Sequence, residues 1–378
     1  MNFSFWENKT WFSNIDFAII GSGIVGLSCA LALRKKYPTS KIVVFERGIL
    51  PSGASTKNAG FACYGSISEI LDDLKTHSEV EVVQLVSDRV IGLKLLRQTL
   101  SDVKLDYQEY GGYELFTERD KVLFESCKAK ISYVNRLLEP IFGDNVFSER
   151  ENHFGFQNIR PKLIYSKFEG QIDTGKMMLG LIKKATKENI LILNSCEVGK
   201  ISDNGNQVSL QIKSSNQFFN LIDINVNKVF IATNGFAKQF LDEEVKPARA
   251  QVLITTPIEN LKIKGTFHLD KGYYYFRNIE DRILFGGGRN LDFTVEETTE
   301  MEVTERIQNK LEELLKSVIL PNKPVQIEQR WSGIMGIGAK KKPIVTAISE
   351  NVFCGVRLGG MGVAIGCSIG KQLSELID

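Results

Sequence analysis

Histidine is scarce in this chain of 378 residues, which contains three: His77, His153 and His268. None stands beside a nucleophile or a metal-ligand partner in the sequence, which argues against chemistry that depends on a histidine base or a histidine-rich metal site. The six cysteines form no CxxC pair and no cysteine–histidine ligand spacing. We therefore expect no metal site and no disulfide framework, and free thiols in a reducing compartment.

Long apolar runs and an excess of one charge are also missing. No stretch approaches the roughly 18 apolar residues of a membrane-spanning helix, and residues 1–15 lack the pattern of a secretion signal. The formal net charge of +2 provides no field that attracts nucleic acid. The sequence therefore predicts a cytoplasmic protein with a small-molecule partner, no nucleic acid and no membrane span. It indicates no oligomeric state.

The spacing of apolar residues predicts two interleaved units. Residues 16–20, 24–37 and 41–46 have the patterns of a strand, a helix and a strand. Further helices are predicted over 78–100, 118–141, 174–188, 296–317 and 362–377, and further strands over 190–193, 229–232, 249–256, 273–277 and 282–286. We expect an α/β protein with a discontinuous Rossmann-type dinucleotide-binding domain and an interleaved α+β substrate domain that contains an antiparallel sheet. The first is predicted to comprise residues 1–77, 160–240 and 330–378, and the second residues 78–159 and 241–329.

A glycine-rich turn follows the first predicted strand and opens the first predicted helix; its residues are Gly21, Ser22, Gly23, Ile24, Val25 and Gly26. Gly21 permits the tight turn, Gly23 lets a pyrophosphate approach the backbone, and Gly26 lets the helix pack closely on the strand. The anion would lie on the helix N-terminus. Glu46, at the end of the second strand, can accept hydrogen bonds from both adenosine ribose hydroxyls. The turn predicts a dinucleotide site without separating NAD from FAD.

Two further segments favour FAD over NAD. Small and polar residues suited to run beneath a pyrophosphate and a flavin ring occupy 52–61, and they include Ser55, Thr56, Asn58, Ala59 and Gly60. Near the C-terminus, Gly359, Gly360 and Gly362 directly precede the closing helix. The dipole of that helix would stabilise the negative charge of a reduced flavin. A surface loop and a packing loop are the alternative interpretations, but in combination with the opening turn the two segments predict FAD.

Over nearly its whole length the sequence resembles the D-amino-acid oxidase superfamily of flavoproteins, in particular the branch with glycine oxidase, sarcosine oxidase and related amine oxidases. The resemblance rests on the opening turn with Glu46 and on residues 53–60 (GASTKNAG), 229–235 (VFIATNG), 247–253 (PARAQVL), 330–333 (RWSG) and 359–366 (GGMGVAIG). It implies that the first three of these segments contact FAD, that adenine lies against the backbone near Val198, and that residues 359–363 contact the flavin ring. The implied contacts also include Arg47, Thr233, Gly235, Met361 and Val363.

The resemblance also implies a reaction. Hydride would pass from the carbon of a C–N bond in a small amine or amino acid to flavin N5, with molecular oxygen or another acceptor reoxidising the flavin. Three alternatives stay open. Scarce histidine counts against a flavin-dependent 2-hydroxyacid dehydrogenase, and the near-zero net charge counts against an oxidase of modified tRNA nucleosides. The third is a flavoprotein without catalysis. Nothing in the sequence shows whether FAD is covalently attached.

The substrate wall is predicted at residues 272–277 (GYYYFR), where strand alternation would send Tyr273 and Tyr275 to the same face. Packing in an aromatic core is an equally frequent role for these tyrosines. Relatives that act on free amino acids carry an arginine after the tryptophan–glycine segment, where it binds the substrate carboxylate, and Met335 occupies the matching position here. The candidates to replace it are Arg249, Arg277, Arg330 and, as the favoured one beside the glycine loop, Arg357.

Overall fold

The computed structural model describes residues 3–214, 221–241, 244–321 and 323–377. The strands are β1 (Ile15–Ile20), β2 (Ile42–Phe45), β3 (Phe61–Ala62), β4 (Gly112–Leu115), β5 (Phe147–Glu151), β6 (Lys162–Ser166), β7 (Gly170–Gln171), β8 (Leu191–Leu193), β9 (Cys196–Asp203), β10 (Val208–Ser214), β11 (Ile222–Ile231), β12 (Lys246–Thr255), β13 (Thr266–Leu269), β14 (Tyr274–Ile279), β15 (Arg282–Gly287), β16 (Ile327–Ile337), β17 (Ile344–Ala347) and β18 (Val352–Val356).

The helices are α1 (Phe5–Glu7), α2 (Ile24–Lys36), α3 (Ala54–Lys57), α4 (Ile67–Asp73), α5 (Glu79–Leu100), α6 (Asp102–Leu105), α7 (Lys121–Phe142), α8 (Thr174–Lys187), α9 (Glu305–Leu314) and α10 (Gly362–Ser374). Short 3₁₀ turns cover Glu118–Asp120, Asn234–Gln239, Arg289–Leu291 and Glu375–Ile377, and π turns cover Asn8–Phe12 and Leu315–Ile319. Among these helices none combines the length and the apolar content that a membrane crossing requires in the described part of the chain.

The first sheet has the order β17-β18-β11-β1-β2-β8, with β10 paired to β11 and β9 to β10. β1 pairs in parallel with both β2 and β11, and β11 pairs in parallel with β18. A parallel strand covered on both faces is apolar throughout, as in Ala18 and Ile19, which are fully buried. α10 packs on α2, where Gly370 lets the two backbones approach: an added Cβ would lie 2.5 Å from the Val25 carbonyl oxygen. This arrangement confirms the predicted Rossmann-type unit.

The second sheet has the order β16-β12-β15-β14-β13-β4-β6-β5, and its pairs are antiparallel except for β13 with β4. Val252, Gly286, Tyr275 and His268 stand opposite one another on β12, β15, β14 and β13. Because Gly286 lacks a side chain, the ring of Tyr275 lies across it, 2.7 Å from where a Cβ would be. The opposite face packs on α9, and the largely antiparallel sheet agrees with the predicted α+β unit.

The predicted helix over 296–317 is wrong in its first half, because α9 begins at Glu305. The Glu296 carbonyl accepts a hydrogen bond from the Arg249 backbone N–H on β12 at 2.8 Å and is therefore not available to a helix. Arg249 Nε and Nη2 also donate to the two carboxylate oxygens of Glu296 at 2.8 and 2.9 Å. By contrast, α5 begins where predicted because Ser78 and Glu81 form a capping box. The start of α5 could be predicted because its cap is local, whereas the start of α9 depends on a residue far away in the sequence.

The division into two domains stays a prediction, and sheet membership suggests different boundaries. β6 and β16 belong to the second sheet, although residues 160–240 and 330–378 were assigned to the dinucleotide-binding domain. α5, expected in the substrate domain, packs in one core with α2 and α10. At Gly92 an added Cβ would lie 2.2 Å from the Ala364 carbonyl oxygen, which shows how closely α5 approaches α10.

Candidate functional site

A cavity of about 620 Å³ lies between the carboxyl ends of first-sheet strands and one face of the second sheet. Ile20, Phe45 and Ala232 mark the strand ends, and Val252 and Tyr275 belong to the opposite wall. Open α/β sheets bind ligands at this edge, and cavities of roughly 300 to 1,000 Å³ are typical ligand sites. The position and volume therefore define a candidate active site.

The glycine-rich turn forms one end of the cavity with very close backbone contacts. Gly21 has φ +101°, and an added Cβ would lie 2.9 Å from the Ala232 carbonyl oxygen. At Gly26 an added Cβ would lie 1.9 Å from the Gly21 carbonyl oxygen. Ser55 accepts a hydrogen bond from the Ile24 backbone N–H at 3.0 Å and thereby ties residues 52–60 to the start of α2. The turn can adopt this shape only if positions 21 and 26 are glycine.

Glu46 lies at the end of β2 as a buried carboxylate that faces the cavity. One of its oxygens accepts hydrogen bonds from the Ser22 backbone N–H at 3.1 Å and the Ser22 hydroxyl at 2.7 Å. The other accepts from the Gly48 backbone N–H at 2.9 Å. Each carboxylate oxygen can accept more than one hydrogen bond, so the group is fixed in place and still able to accept from a ribose diol.

Three observations test whether the cavity fits FAD. At Gly53, Gly359 and Gly360 an added Cβ would meet no atom within 4 Å, so these glycines border open space. The hydroxyl of Thr233, just after β11, is buried in the wall without a hydrogen-bond partner in the described structure. The N-terminus of α10, a helix of 13 residues, begins at Gly362 on the same wall. Open glycine backbone, an unsatisfied hydroxyl and a positive helix end suit a dinucleotide carrying a flavin.

Most of the residues predicted to contact the cofactor line this cavity. They are Gly21, Gly23, Ile24, Val25, Glu46, Arg47, Ser55, Asn58, Ala59, Gly60, Val198, Thr233, Gly359, Gly360, Met361, Gly362 and Val363. Four others lie behind the wall. Ser22 holds Glu46, Gly26 packs on Gly21, Thr56 donates to the Pro51 carbonyl, and Gly235 lies against the Met335 carbonyl. These four support the lining residues.

The predicted substrate residues Tyr273, Tyr275, Met335 and Arg357 all line the cavity as well. β14 begins at Tyr274, so Tyr273 lies in the preceding turn and strand alternation does not relate it to Tyr275. The ring of Tyr275 packs edge-on against Phe61 with centroids 5.5 Å apart, and burial raises the pKa of Tyr275 to about 12. Met335, on the outermost strand of the sheet, is half-buried.

The arginines proposed to bind a substrate carboxylate have other partners. Arg249 binds Glu296, and Arg330 binds Glu312 and Gln308; neither residue lines the cavity.

Arg277 lies beneath the Gly60 carbonyl, outside the cavity lining, and burial lowers its pKa to about 10. Arg357 lines the cavity, but its guanidinium donates to the carbonyls of Lys342, at 3.0 and 3.1 Å, and Glu244, at 3.3 Å. The guanidinium of Arg357, the favoured candidate, therefore already donates to backbone carbonyls.

His268 is the main residue that the sequence analysis missed, because its acidic partner, Glu169, is far away in the sequence. It lines the cavity opposite Tyr275, and its Nε2 lies 3.2 Å from a carboxylate oxygen of Glu169. Burial alone would lower the pKa of His268, but Glu169, with Glu69 and Glu114 nearby, raises it to about 9. His268 is consequently cationic at neutral pH and can donate a proton but not accept one.

Charged residues from α4 and α5 also line the cavity: Glu69, Asp72, Asp73, Asp88 and Arg89. Lys271 lies 3.5 Å from Asp72, and Lys341 pairs with the buried carboxylate of Asp73. Lys341 stands in a run of three lysines at residues 340–342, and it is bound to a carboxylate rather than only solvated. Its partner lies far away in the sequence, so no local pattern could have shown the pair.

Comparisons with known proteins agree with the geometry. The family model for FAD dependent oxidoreductases matches residues 16–376. In sequence the chain is similar to the probable oxidoreductase OrdL of Haemophilus influenzae, with 22% identity over 402 residues that cover 97% of this chain and 84% of that protein. In structure it is similar to glycine oxidase from Geobacillus kaustophilus, with a TM-score of 0.73, 17% identity, and 96% and 94% of the two chains covered. Iminodiacetate oxidase from Chelativorans sp. BNC1 gives a TM-score of 0.72, 17% identity, and coverage of 96% and 95%. At such identities the structural likenesses show a shared fold.

Proposed function

The chain belongs to the family of FAD-dependent oxidoreductases, and from that premise we propose that it oxidises a carbon–nitrogen bond of a small amine or amino acid. When bound, FAD supplies the hydride acceptor. The observation that carries the proposal is the cavity itself. The glycine-rich turn and Glu46 lie at one end, here called the nucleotide end, and Tyr275 and Met335 lie at the other, the sheet end. The names of two structural neighbours, glycine oxidase and iminodiacetate oxidase, point to the same class of substrate.

The nucleotide end of the cavity would hold the cofactor. Glu46 would accept hydrogen bonds from the adenosine ribose, and the N-terminus of α2 would receive the pyrophosphate beside Gly23. The open backbone at Gly359 and Gly360 would face the flavin, with the positive end of α10 behind it. In this arrangement the backbone, rather than charged side chains, provides most of the recognition.

The sheet end of the cavity would position the substrate and exclude water. Ala250 and Val252 offer an apolar surface beside Tyr275, whose hydroxyl has no hydrogen-bond partner among the described residues. Because His268 is cationic at neutral pH, it cannot remove the proton of an alcohol. The 2-hydroxyacid dehydrogenase alternative, which needs such a base, is therefore disfavoured even though a histidine does reach the cavity.

Met335 supports a preference for substrates larger than glycine or D-alanine. A charge-assisted arginine–carboxylate pair contributes roughly 1.5 to 3 kcal/mol per hydrogen bond when sheltered from water, and methionine cannot provide it. The flexible thioether suits an alkyl or ring portion instead. We expect a larger amine, or one whose carboxylate lies farther from the reacting carbon, to be preferred.

Anaerobic loss of flavin colour tests the proposal. Glycine, sarcosine, D-alanine and a series of longer N-substituted amines should reduce the flavin, with the longer amines most efficient. The Met335→Arg variant should raise kcat/KM for glycine and D-alanine, while Met335→Leu, which keeps the apolar character and volume, should not. Efficient turnover of glycine by the wild-type protein would contradict the argument from Met335, and no reduction by any amine would contradict the proposed reaction.

We propose molecular oxygen as the electron acceptor. The support is that two structural neighbours are named oxidases, although another neighbour is named L-proline dehydrogenase. After anaerobic reduction, admission of oxygen should restore the flavin colour and yield one peroxide per substrate oxidised. Slow reoxidation by oxygen together with fast reoxidation by an artificial dye would identify a dehydrogenase.

A further inference from the structure

An arginine without a charged partner lies at the sheet end of the cavity. Arg289 follows β15 in the 3₁₀ turn Arg289–Leu291 and lines the cavity. Within the described part of the chain its guanidinium makes an aromatic contact but no hydrogen bond and no ion pair. A buried or half-buried charge is normally paired, so an unpaired one beside a cavity marks a candidate binding group.

Aromatic residues fix the position of Arg289 at the cavity wall. Its guanidinium carbon lies 4.8 Å from the ring centroid of Phe293, which is 47% exposed. Phe293 in turn packs edge-on against Tyr273 with centroids 5.8 Å apart. The stack leaves the edge of the guanidinium, where its N–H donors lie, available to a ligand.

Glu296 does not neutralise Arg289. Burial lowers the pKa of Arg289, and the charge of Glu296 opposes this shift from a distance. However, both carboxylate oxygens of Glu296 already accept hydrogen bonds from Arg249 and Gln251. The guanidinium is therefore partly desolvated, remains cationic and lacks a counterion in the described structure.

Most other cations of the cavity are already engaged or lie elsewhere, and two lysines of the lining, Lys57 and Lys340, lack the planar pair of donors that an arginine offers to a carboxylate. Lys271 and Lys341 have carboxylate partners, Arg89 donates to the Tyr64 carbonyl, Arg357 donates to two carbonyls, and Arg47 lies over the Phe236 ring beside Glu46 at the nucleotide end. Arg289 is thus the arginine best placed to receive an anionic group at the sheet end.

We propose that Arg289 binds a carboxylate of the substrate, which makes the preferred substrate class an amine whose carboxylate is several bonds away from the reacting carbon. The inference rests on the proposed function. Gly286 stands opposite Tyr275, and the chain continues from there through two glycines in left-handed conformations to Arg289. An anion at Arg289 therefore lies beyond the row of residues that contains Tyr275. The guanidinium can bind it through two parallel hydrogen bonds.

Paired substrates test the assignment. We would compare amines that end in a carboxylate with their carboxamide analogues in the wild-type protein and in Arg289→Gln and Arg289→Lys. Arg289→Gln should raise KM for the carboxylates about tenfold to a hundredfold, as expected for loss of a charge-assisted pair, and change KM for the carboxamides less than about twofold. Arg289→Lys should be intermediate. The matched control is Arg306→Gln, an exposed arginine that pairs with Asp292 outside the cavity and should change neither KM.

A binding measurement separates this inference from the proposed function. Hexanoate carries a carboxylate and no amine, so calorimetric titration of the FAD-loaded protein reports on the carboxylate site alone. Hexanoate should bind to the wild-type protein, bind at least about tenfold more weakly to Arg289→Gln, and bind better than hexanamide. Equal binding of hexanoate and hexanamide, or unchanged binding in Arg289→Gln with an unchanged unfolding temperature, would overturn the assignment. Failure of every amine to reduce the flavin would instead overturn the proposed reaction, and the titration would still decide on Arg289.

Discussion

The two ends of the cavity are built in different ways. The nucleotide end is built around backbone and glycine of one local unit, the turn at Gly21 with the carboxylate of Glu46, to which the glycine loop at Gly359 and Gly360 is added from the C-terminal part of the chain. The sheet end uses side chains from strands far apart in sequence, among them His268, Tyr275 and Met335. A cofactor shared by a whole family can be recognised by a local backbone shape, whereas a particular substrate requires side chains that only the folded sheet brings together.

Glycine substitutions give the largest expected effects at the nucleotide end. Gly26→Ala places a Cβ 1.9 Å from the Gly21 carbonyl oxygen, so it should destabilise the protein by about 3 kcal/mol or more. Gly360→Ala points into open space and should change the free energy of unfolding of the FAD-free protein by less than about 0.5 kcal/mol. Chemical unfolding of the two variants without FAD measures the difference.

A larger substitution in the glycine loop at Gly360 distinguishes an effect on FAD binding from an effect on stability. Gly360→Val extends a side chain into the space assigned to the flavin, so we expect at least a tenfold weaker affinity for FAD, on the order of 1.4 kcal/mol or more. Bound flavin is measured by absorbance after dialysis, and the released cofactor is identified by chromatography. Wild-type affinity in this variant would show that the glycine loop does not contact the flavin and would remove the proposed contrast between the two ends.

A pH dependence of stability is expected at the sheet end. The pKa of His268 is about 9 in the folded protein against an ordinary value of 6.5, so the folded state holds its proton more tightly. This contribution to stability is complete below about pH 6.5 and is lost as the pH rises through 9, with a total of roughly 3 kcal/mol. Burial also raises the pKa of Glu114 to about 7, against the opposing charge of His268, which adds a loss of stability at lower pH.

Unfolding temperatures of the wild type and His268→Gln between pH 6 and pH 9.5 provide the measurement. The decline above pH 6.5 should be smaller in His268→Gln than in the wild type. His153→Gln, at an exposed position, is the control and should follow the wild type. Parallel curves for the wild type and His268→Gln would mean that Glu169 does not stabilise a cationic histidine.

The smallest effect is expected from Tyr275→Phe, which removes a hydroxyl without a hydrogen-bond partner among the described residues. The free energy of unfolding should change by less than about 0.5 kcal/mol, whereas KM for a reactive amine should rise about fivefold if the hydroxyl binds substrate. Tyr274→Phe, on the opposite face of β14 and in the core, should leave KM unchanged. An unchanged KM in Tyr275→Phe would favour the alternative interpretation of this tyrosine as aromatic packing.

Elements at the nucleotide end were easier to predict from the sequence than elements at the sheet end. β1, α2 and β2 agree with the sequence to within about two residues because apolar periodicity, the glycine turn and short connections all act locally. The helix predicted from residue 296 fails because Glu296 is bound by an arginine on β12. No periodicity encodes that partner.

The missed residues of the site have the same cause. His268 has no acidic partner near it in sequence, since Glu169 reaches it from the loop between β6 and β7. The only sequence feature that marks Arg289 is its place after three glycines. Arg249, Arg330 and Arg357 could not be rejected as carboxylate-binding candidates from the sequence, because their partners are brought to them by the fold. Sequence motifs locate a cofactor site, but whether a charged side chain already has a partner depends on the tertiary structure.

The strand order of the first sheet has a consequence for synthesis on the ribosome. β1 and β2 are made early, but β18, which pairs with β11, and α10, which covers α2, are made last. At elongation rates of about 5 to 20 residues per second, the nascent β1–α2–β2 segment waits on the order of tens of seconds for them. During that interval its apolar surfaces are exposed to chaperones and to other nascent chains. The end of the cavity that is easiest to predict is therefore the last to be completed as the protein is made.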